Sequence, residues 1–568
     1  MGSQDQKNFI IAVSLSLLIF FGWDHFFGVK PNPNQQQQQA VQTIPQANTD
    51  QPQVQKESLN SELEDMVVSR DDAIKDNRIP IETPTLKGSI NLKNGRLDDL
   101  TLLNYKVSVK EDSENIQLLN PKNTKDFYFV DFDVLAGDSI EKPTSNTPWQ
   151  IQNGQSLTPS TPVTLFYENS QGIRFERAYS VDENYMMTIQ QKVINNGETP
   201  IHIQQKILIN RHKPNLDGTS NILHEGAVGF LNDHLIEKSY GDLVDKKSDD
   251  TTSKGGWIGF SDKYWLVALI PHSNAQSVFS FQTQKNEQFI TSLKQDKKTL
   301  NPGETVEQSI EIFTGPKKLA LLDAYEEKLN IKKFDLAIDF GMFYFLTKPL
   351  FQFLDWLYQL VGNFGIAIMI MTLISKIVLF PLANKSYYSM GRMKNLTPKM
   401  EQIKTKYADD PVKLQKEMMA LYKKEKVNPL SGCLPMLIQA PIFFCLYKVL
   451  YISIEMRHAP FFGWIHDLSA PDPTTLFNLF GLIPWDPPSF LMIGLWPIVM
   501  GATMIIQQRL NPQPVDPAQA KMMLFMPIFF TYLFGSFPSG VVIYWTVSNI
   551  LSIIQQKVIM NIAAKKGL

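Results

Sequence analysis

Cysteine is nearly absent from this 568-residue chain. Its two cysteines, Cys433 and Cys445, lie in one apolar run, so the long polar region before them cannot contain a disulfide. No cluster of His and Cys has metal-ligand spacing, and there is neither a Gly-rich phosphate loop nor a supported Ser-His-Asp arrangement. The formal net charge of -2 gives no reason to expect a specific nucleic acid partner. The sequence therefore offers no motif for a metal or a cofactor, and we expect neither.

Long apolar runs are also missing from residues 31 to 336, whereas they crowd the last part of the chain. A helix needs about 20 residues to cross about 30 Å of hydrocarbon. By this measure the sequence predicts six transmembrane helices, at about 8–27, 363–382, 431–452, 489–508, 522–537 and 539–558. The first could instead be a cleaved signal peptide, but no small-residue cleavage site follows it. We therefore interpret residues 1–30 as an uncleaved signal anchor.

The region between the first two apolar segments has two parts. Residues 31–80 are rich in Gln, Asn, Pro and Asp, which cannot bury enough apolar surface to offset the entropy of ordering, so they predict a flexible linker. Residues 81–335 contain many short runs that alternate apolar and polar side chains. These runs are separated by turn signals such as Asn94-Gly95, Asp182-Glu183 and Asn195-Asn196-Gly197. The pattern predicts a large all-β sandwich domain, followed by a helix in "GPKKLALLDAYEEKLNIKKF".

Residues 336–362 are apolar and aromatic but carry Lys348, Pro349 and Asp355. Apolar residues at helical spacing define one face: Leu350, Phe353, Leu354, Leu357 and Val361. This predicts an amphipathic helix that lies in the membrane interface. The alternative is a seventh span, which would move the sandwich to the cytoplasm.

The distribution of basic residues predicts the orientation. Residues 383–430 hold eleven basic residues, whereas residues 451–488 hold only Arg457. Short basic loops stay in the cytoplasm. The 363–568 core therefore presents its 383–430 segment to the cytoplasm, the sandwich lies outside, and both termini are cytoplasmic.

The cytoplasmic segment 383–430 is expected to form a helical hairpin. Thr397-Pro398 and Asp410-Pro411 each have the pattern of an N-cap followed by proline at the first helical position. Apolar side chains repeat at helical spacing in both halves, with Met400, Ile403 and Tyr407 in the first and Leu414, Met418 and Leu421 in the second, and Met419 adds a further methionine. The alternative is a solvated charged loop.

Lys376 stands inside the apolar stretch "MTLISKIVLFPL". A charge at the centre of a membrane helix costs about 2.5–3.5 kcal/mol on insertion scales. Lys376 is six residues from Leu382, or about 9 Å along a helix, so its ammonium could snorkel to the surface. The other interpretation is a polar cavity in the inner leaflet, which Lys376 shares with polar residues of its own and other spans: Thr372, Ser375, Gln439, Ser548, Asn549 and Ser552.

Such a cavity fits more than one function. A fixed positive charge attracts either acidic residues of a nascent membrane protein or an anionic solute, so an insertase and a transporter both remain open at this point. No inverted repeats with broken helices, which many transporters show, are evident. A third hypothesis, a sugar-active or sugar-binding sandwich, rests on fold-level analogy alone.

Three long motifs resemble the YidC membrane protein insertases of the YidC/Oxa/Alb family. They are "EMMALYKKEKVNPLSGCLPMLIQAPIFFCLYKVL", "WIHDLSAPDP" and "FPSGVVIYWTVSNILSIIQQ". The resemblance covers the whole chain and is to the Gram-negative type, with an N-terminal anchor and a large periplasmic domain. It implies a polytopic α-helical protein of the bacterial inner membrane, with a five-helix insertase core around a hydrophilic groove open to cytoplasm and lipid. It also implies a periplasmic β-supersandwich and neither ATPase nor covalent catalysis.

The resemblance further implies roles for single residues and partners. The groove arginine of the family falls on Lys376, where lysine keeps the charge but loses the planar fork of the guanidinium. The groove threonine falls on Thr372. The positions that contact substrate fall on Ala440, Pro441, Phe443, Tyr544 and Trp545. The implied partners are nascent membrane proteins, the Sec translocon and membrane lipids, with the ribosome and the signal recognition particle receptor as further candidates.

Overall fold

The computed structural model describes residues 67–137, 140–214, 223–245, 248–272, 276–284, 287–341, 343–425, 434–480, 483, 485, 487–488, 492–511 and 517–565. These residues form two compact units, and the chain passes from the first to the second between Asp339 and Phe340. The predicted anchor at residues 1–30 lies outside the described residues, so that expectation stays a prediction.

The first unit is a β-sandwich. Its strands, within the described residues, are β1 (Arg78–Glu82), β2 (Leu86–Asn91), β3 (Arg96–Lys106), β4 (Asn115–Leu119), β5 (Tyr128–Ala136), β6 (Gln150–Asn153), β7 (Val163–Glu168), β8 (Ile173–Val181), β9 (Met186–Asn195), β10 (Ile201–His212), β11 (Gly226–Leu231), β12 (His234–Ser239), β13 (Ser248–Lys254), β14 (Trp257–Ser261), β15 (Trp265–Pro271), β16 (Gln276–Gln284), β17 (Gln288–Lys294), β18 (Lys298–Leu300) and β19 (Thr305–Pro316). Helices α1 (Arg70–Ala73), α2 (Tyr240–Asp245) and α3 (Leu319–Leu329) accompany them.

The strands form two antiparallel sheets. The first runs β1-β2-β3-β5-β10-β17-β16-β13, with β4 beside β3 and β18 beside β10, and the second runs β12-β11-β14-β15-β19-β9-β8-β7-β6. The two sheets bury their facing side chains against each other, as when Phe132 of β5 meets Tyr179 of β8 with ring centroids 6.3 Å apart. The predicted all-β sandwich is therefore confirmed.

The Asn94-Gly95 turn shows why the sequence predicts the β2–β3 hairpin correctly. Both residues have positive φ, 60° and 59°, as a tight hairpin between β2 and β3 requires. The turn is also buried against the second sheet, because Arg177 donates a 2.6 Å hydrogen bond to the Asn94 carbonyl. A Cβ at Gly95 would lie 2.4 Å from the Tyr179 hydroxyl, so only glycine fits here.

The sandwich begins earlier in the chain than the sequence indicated. The predicted linker ends at residue 80, but α1 starts at Arg70 and β1 at Arg78. Arg70 pairs with Asp99 of β3 and donates to the Thr101 hydroxyl at 3.2 Å. A segment with few apolar residues is thus held by ion pairs to the sheet, which composition alone does not reveal.

The half-buried His224 makes the stability of the sandwich depend on pH. Its Nε2 lies 2.9 Å from the Ala227 carbonyl, and because a carbonyl only accepts, the neutral ring carries its proton there. Burial lowers the pKa of His224 and outweighs the hydrogen bond to the Ala227 carbonyl, which raises it. Lys317 lowers this pKa further, while Asp339 and Asp242 oppose the shift. The unfolded chain, with a histidine pKa of about 6.5, therefore binds the proton more readily than the folded chain.

We expect this linkage to reduce the free energy of unfolding of the sandwich as the pH falls below about 6.5, by at most about 1.4 kcal/mol per pH unit for the one proton. Hydrogen exchange of β11 and β14 in the full chain, followed against pH, measures it. His224→Gln should flatten the slope, whereas His234→Gln, at an exposed position, should leave it unchanged. Equal slopes in all three proteins would contradict the assignment.

The second unit is helical. Its helices are α4 (Tyr344–Val361), α5 (Phe364–Val378), α6 (Phe380–Lys406), α7 (Pro411–Lys424), α8 (Leu434–Ile452), α9 (Leu495–Leu510), α10 (Pro517–Leu533) and α11 (Ser539–Lys565). α11 packs against α5, α6, α8 and α9, while α10 packs against α9 and α4 packs against α5 and α8. α11 is therefore the element around which the others assemble.

By length and composition, no single helix within the described part of the chain is long and apolar enough to cross a membrane. Two consecutive helices, α5 and α6, meet that test together, although their axes differ by 67°. Two shorter apolar helical stretches are present at Gln439–Ile452 and Lys521–Ser536. The count of six spans stays a prediction.

The predicted span at 363–382 ends sooner than expected. α5 stops at Val378, Leu379 caps it, and α6 begins at Phe380 in a new direction. Pro381 explains the break, since it has no N–H to bond the carbonyl of Ile377, and it stands instead in the first turn of α6, where a proline is tolerated. The basic segment thus starts on a helix that bends away from α5.

Residues 344–361 form a helix, α4, as the sequence predicts, but the side chains that it buries are not the predicted apolar face. Its buried residues are Thr347, Phe351, Leu354 and Leu357, rather than a face that includes Leu350 and Phe353. The helix is apolar on most sides, so spacing alone does not select the row that packs on α5 and α8.

The hairpin has one helix boundary that the sequence placed wrongly. α6 continues through Pro398 to Lys406, so Thr397-Pro398 does not begin a helix. Leu396 and Met400 flank that proline and are both buried against Met393, Met418, Leu421 and Tyr422, and this packing offsets one lost backbone hydrogen bond. The Asp410-Pro411 start is confirmed, because the Asp410 carboxylate accepts from Lys413 N at 3.0 Å.

Candidate functional site

Three helices converge on the ammonium group of Lys376. Its Nζ donates to Gln439 Oε1 of α8 at 3.1 Å and to Ser552 Oγ of α11 at 2.9 Å. Gln439 Nε2 in turn donates to the Tyr544 hydroxyl at 2.8 Å. Tyr544 and Ser552 are eight residues apart on α11, so they lie on one side of that helix. A continuous polar chain therefore crosses the interior of the helical unit.

The partners of Lys376 are all uncharged. Within the described part of the chain, no carboxylate lies at ion-pair distance from its ammonium, which is half-buried. An ammonium has three N–H groups, and the described bonds use two of them. A half-buried cation without a counter-ion is costly, so its environment is best satisfied by water or by an acidic group brought from elsewhere.

The bounds of α5 place Lys376 in its last turn. Asn363 caps the start of the helix by accepting from Ile366 N at 3.1 Å, and the helix ends two residues after Lys376, at Val378. The negative end of the helix macrodipole favours a cation there. Thr372 lies one turn earlier and is buried, but its hydroxyl donates to the Ile368 carbonyl at 2.7 Å within its own helix. Thr372 thus shares the region without touching the ammonium.

Asn549 does not join this chain of hydrogen bonds. Its side-chain amide donates to the Thr503 hydroxyl of α9 at 3.1 Å. It therefore faces α9 and joins two helices, while Gln439 faces Lys376. Ser552, one of the polar residues that the sequence placed in the shared cavity, contacts Lys376 directly.

The expected substrate-contact positions form an aromatic cluster beside the polar chain. The ring centroids of Phe443 and Trp545 are 4.5 Å apart, and Phe534 and Phe530 lie 4.7 and 5.9 Å from Trp545. Phe443 also stacks near Tyr544 at 6.3 Å. These rings cover one another, so the spacing of the aromatic residues along the chain could not show which ring faces stay accessible to a client.

Ala440 and Pro441 complete that set on α8. Ala440 is half-buried and Pro441 is exposed, one turn before the neighbouring Phe444, which is also exposed. Pro441 lies inside the helix and removes one backbone hydrogen bond. α8 therefore presents an open apolar strip next to the ring cluster.

A second polar centre, at Asp472, holds the other end of the unit. Its Oδ1 accepts from Trp464 Nε1 at 3.1 Å and from the Thr474 backbone and hydroxyl at 3.0 and 2.7 Å. Its Oδ2 accepts from Trp496 N at 2.9 Å, in the first turn of α9. The motif "WIHDLSAPDP" thus ties a loop to the start of a helix, a role that sequence analysis missed because a single loop aspartate carries no periodic signal.

The expected hairpin residues divide by exposure. Met400 is buried and Met418 packs on it, Ile403 and Tyr407 are half-buried, and Met419 is exposed. A 2.7 Å ion pair between Lys399 and Glu425 joins the two helices. The hairpin has its own small apolar core, which argues against a solvated loop.

Two family models together match most of the chain. The model for the "60Kd inner membrane protein" matches residues 356–566, and the model for the "YidC periplasmic domain" matches residues 78–353. The sandwich and the helical unit thus define a class of inner membrane protein with a periplasmic β-sandwich domain.

Full-length relatives narrow this class. The membrane protein insertase YidC of Rickettsia felis (strain ATCC VR-1525 / URRWXCal2) is 48% identical over 558 residues, covering 97% of this chain and 98% of the relative. The same protein of Rickettsia akari (strain Hartford) is 48% identical over 555 residues with the same coverage. The chain belongs to the YidC family. A crystal structure of an active YidC insertase with its first transmembrane domain resolved is 19% identical, covers 86% of this chain and 93% of its own, and has a TM-score of 0.35.

Proposed function

We propose that this protein inserts proteins into the bacterial inner membrane and assists their folding, alone or beside the Sec translocon. The observation that carries the proposal is the Lys376 centre, a cation with neutral partners from α8 and α11. A hydrophilic segment that crosses hydrocarbon loses hydrogen bonds worth several kcal/mol each. A polar, positively charged groove open to cytoplasm and lipid shortens that dry path and attracts acidic residues of the client.

The proposed orientation follows from charge and exposure. Both termini and the basic α6–α7 hairpin are cytoplasmic, and the sandwich is periplasmic. Helix α4 lies in the interface, which its outward Phe345, Trp356 and Leu360 support, since each is more than half exposed. Family membership favours this role over the transport of an anionic solute.

The partners are proposed from the same surfaces. Nascent membrane proteins occupy the groove, and their apolar parts pass the strip at Ala440, Pro441 and Phe443 into lipid. The hairpin, with exposed Met419 and many basic side chains, meets the client, the ribosome or the signal recognition particle receptor first. Methionine side chains adapt to varied apolar partners, which suits a surface that receives many clients.

Reconstitution tests the activity directly. Purified full-length protein in liposomes should insert a single-span client with a short acidic tail, seen as a protease-protected fragment. Liposomes without the protein should yield far less of that fragment. Equal yields would contradict the proposal.

A photo-crosslinker tests the client path. At Trp545 we expect capture of a stalled nascent chain, because that ring lies beside the groove on α11. Ile554 is the matched control, since it is nine residues on, faces the opposite side of the same helix and is more than half exposed. Equal capture at both positions, or capture of lipid alone at Trp545, would count against the path.

A further inference from the structure

An apolar patch lies on the connection between α8 and α9. We define the 476–485 patch by six exposed side chains: Leu476, Phe477, Leu479, Phe480, Ile483 and Trp485. Each keeps between 42% and 50% of its surface exposed. In the sequence from 473 to 493, Asp486 is the one charged residue. Six clustered apolar side chains at this exposure are unusual for a surface that faces water.

The patch is held at the end of the helical unit. Leu476 N donates to the Ile493 carbonyl at 3.4 Å, and Leu495 N at the start of α9 donates to the Thr474 hydroxyl at 3.0 Å. The preceding loop is fixed to α11 as well, because Ser539 N donates to the Ala470 carbonyl at 2.7 Å. The patch therefore lies level with the points where α9 and α11 begin.

The helix that follows the patch also exposes apolar side chains. α9 exposes Val499 and Ile506 along its length. If α9 spans the membrane, as the proposed topology has it, its first turn lies at the outer boundary of the hydrocarbon. The patch then stands at the depth where tryptophan and other aromatic residues are enriched.

The backbone of the patch is strained. Leu479 and Phe480 both have positive φ, 50° and 60°, in a left-handed conformation that bulky residues rarely adopt. Two adjacent left-handed residues turn their large apolar side chains outward. In water neither the strain nor the exposure is offset, whereas burial of the two side chains in lipid offsets both.

We propose that the 476–485 patch inserts into the boundary between headgroups and acyl chains of the outer leaflet and anchors the periplasmic end of α9. Its lack of charge fits the acyl side of that boundary rather than a phosphate-binding surface. The inference rests on the proposed topology, in which α9 is a membrane helix that begins at the outer side.

Spin labels measure the depth of the patch. In full-length protein with Cys433→Ser and Cys445→Ala, a nitroxide is placed at Phe480→Cys or at Trp485→Cys, and the protein is reconstituted in vesicles of phosphatidylethanolamine and phosphatidylglycerol. Ile506→Cys on α9 is the membrane control, and Ile151→Cys on β6, of similar exposure, is the aqueous control. We expect the ratio of oxygen to nickel-chelate collisions at both patch sites to be several-fold above that at Ile151.

The controls separate two kinds of failure. If Ile506 is lipid-exposed while Phe480 and Trp485 match Ile151, the anchor is wrong and the topology stands. If Ile506 also matches Ile151, the placement of α9 in the membrane is wrong, and the anchor falls with it. Labels at 480 and 485 that are immobilised and shielded from both reagents would show that protein, not lipid, covers the patch, which also overturns the inference.

Discussion

Replacement of Lys376 by glutamate is expected to lower the insertion of clients with acidic translocated tails by at least about tenfold. Two unit charges 4 Å apart interact by about 4 kcal/mol at an effective dielectric constant of 20, and the substitution turns this attraction into repulsion. A change of about 1.4 kcal/mol already corresponds to tenfold, so a strongly screened interaction still suffices. Insertion into liposomes, scored by protease protection, measures the effect.

Further substitutions separate charge from shape. Lys376→Arg should retain most activity, because the charge remains and the two neutral partners can still accept. Lys376→Gln keeps a hydrogen-bond donor without charge and should fall between wild type and Lys376→Glu. Lys385→Glu is the matched control, since it reverses the same charge at an exposed position on α6. Clients with uncharged tails should distinguish the variants much less.

This prediction has a clear contrary outcome. If wild type and Lys376→Glu insert acidic-tailed clients equally well, the cation has no electrostatic role and its polar partners serve packing alone. If Lys385→Glu causes the same loss as Lys376→Glu, the effect belongs to the overall charge of the protein rather than to the groove.

The second large effect is expected at Asp472, where substitution by alanine should destabilise the helical unit by about 3–6 kcal/mol. The carboxylate accepts from the Trp464 indole and from backbone N–H groups of Thr474 and Trp496. A hydrogen bond to a charged group contributes about 1.5–3 kcal/mol, and water recovers part of that loss here because the donors are only partly buried. Thermal unfolding of the full-length protein in detergent, followed by hydrogen exchange at the start of α9, should show an earlier transition that begins there.

Asp467 offers the control on the same loop. It accepts from His458 N and from the backbone and hydroxyl of Ser469, so its described bonds stay within the loop and reach no helix. Asp467→Ala should therefore cost much less than Asp472→Ala. Similar losses for the two variants would mean that the loop, rather than its link to α9, determines stability.

The Lys376 and Asp472 centres show that two sequence motifs contribute to the protein in different ways. "MTLISKIVLFPL" supplies one cation that three helices surround, and we propose that it attracts acidic groups of a client. "WIHDLSAPDP" supplies an anion whose hydrogen bonds are all internal, and its function is to hold α9 and the loop together. The first keeps an N–H group that the described bonds do not use, whereas the second has several hydrogen-bond donors, and on the proposed function that difference separates a site that binds a client from one that stabilises the fold.

The sandwich was readable from sequence because its signals are local. Alternation along β8, β9 and β10 and the Asn94-Gly95 turn depend on neighbours within a few residues. The ordered start at Arg70 was not readable, because its partner Asp99 is distant in sequence and the segment itself is polar. The helix break at Leu379 had a local cause in Pro381, but its angle of 67° depends on how α6 packs on α11.

The candidate site shows the same division. Lys376 and Gln439 stood out as polar residues in apolar runs, which the cost of burying charge makes conspicuous. Whether they meet depends on the rotation of α5, α8 and α11 about their axes. That rotation brought Ser552 to Lys376, turned Asn549 towards Thr503 and closed Phe443 against Trp545.

Composition and periodicity alone were enough to divide this chain into a polar β-domain and an apolar helical part, and motif order was enough for its family. Both depend on residues close together in sequence. Which polar groups touch came only from packing, because contacts such as Lys376 with Ser552, 176 residues apart, are determined by how whole helices dock. The lysine is therefore conspicuous in the sequence, but only the three-dimensional structure surrounds its ammonium with neutral partners, the arrangement on which the proposed attraction of an acidic client depends.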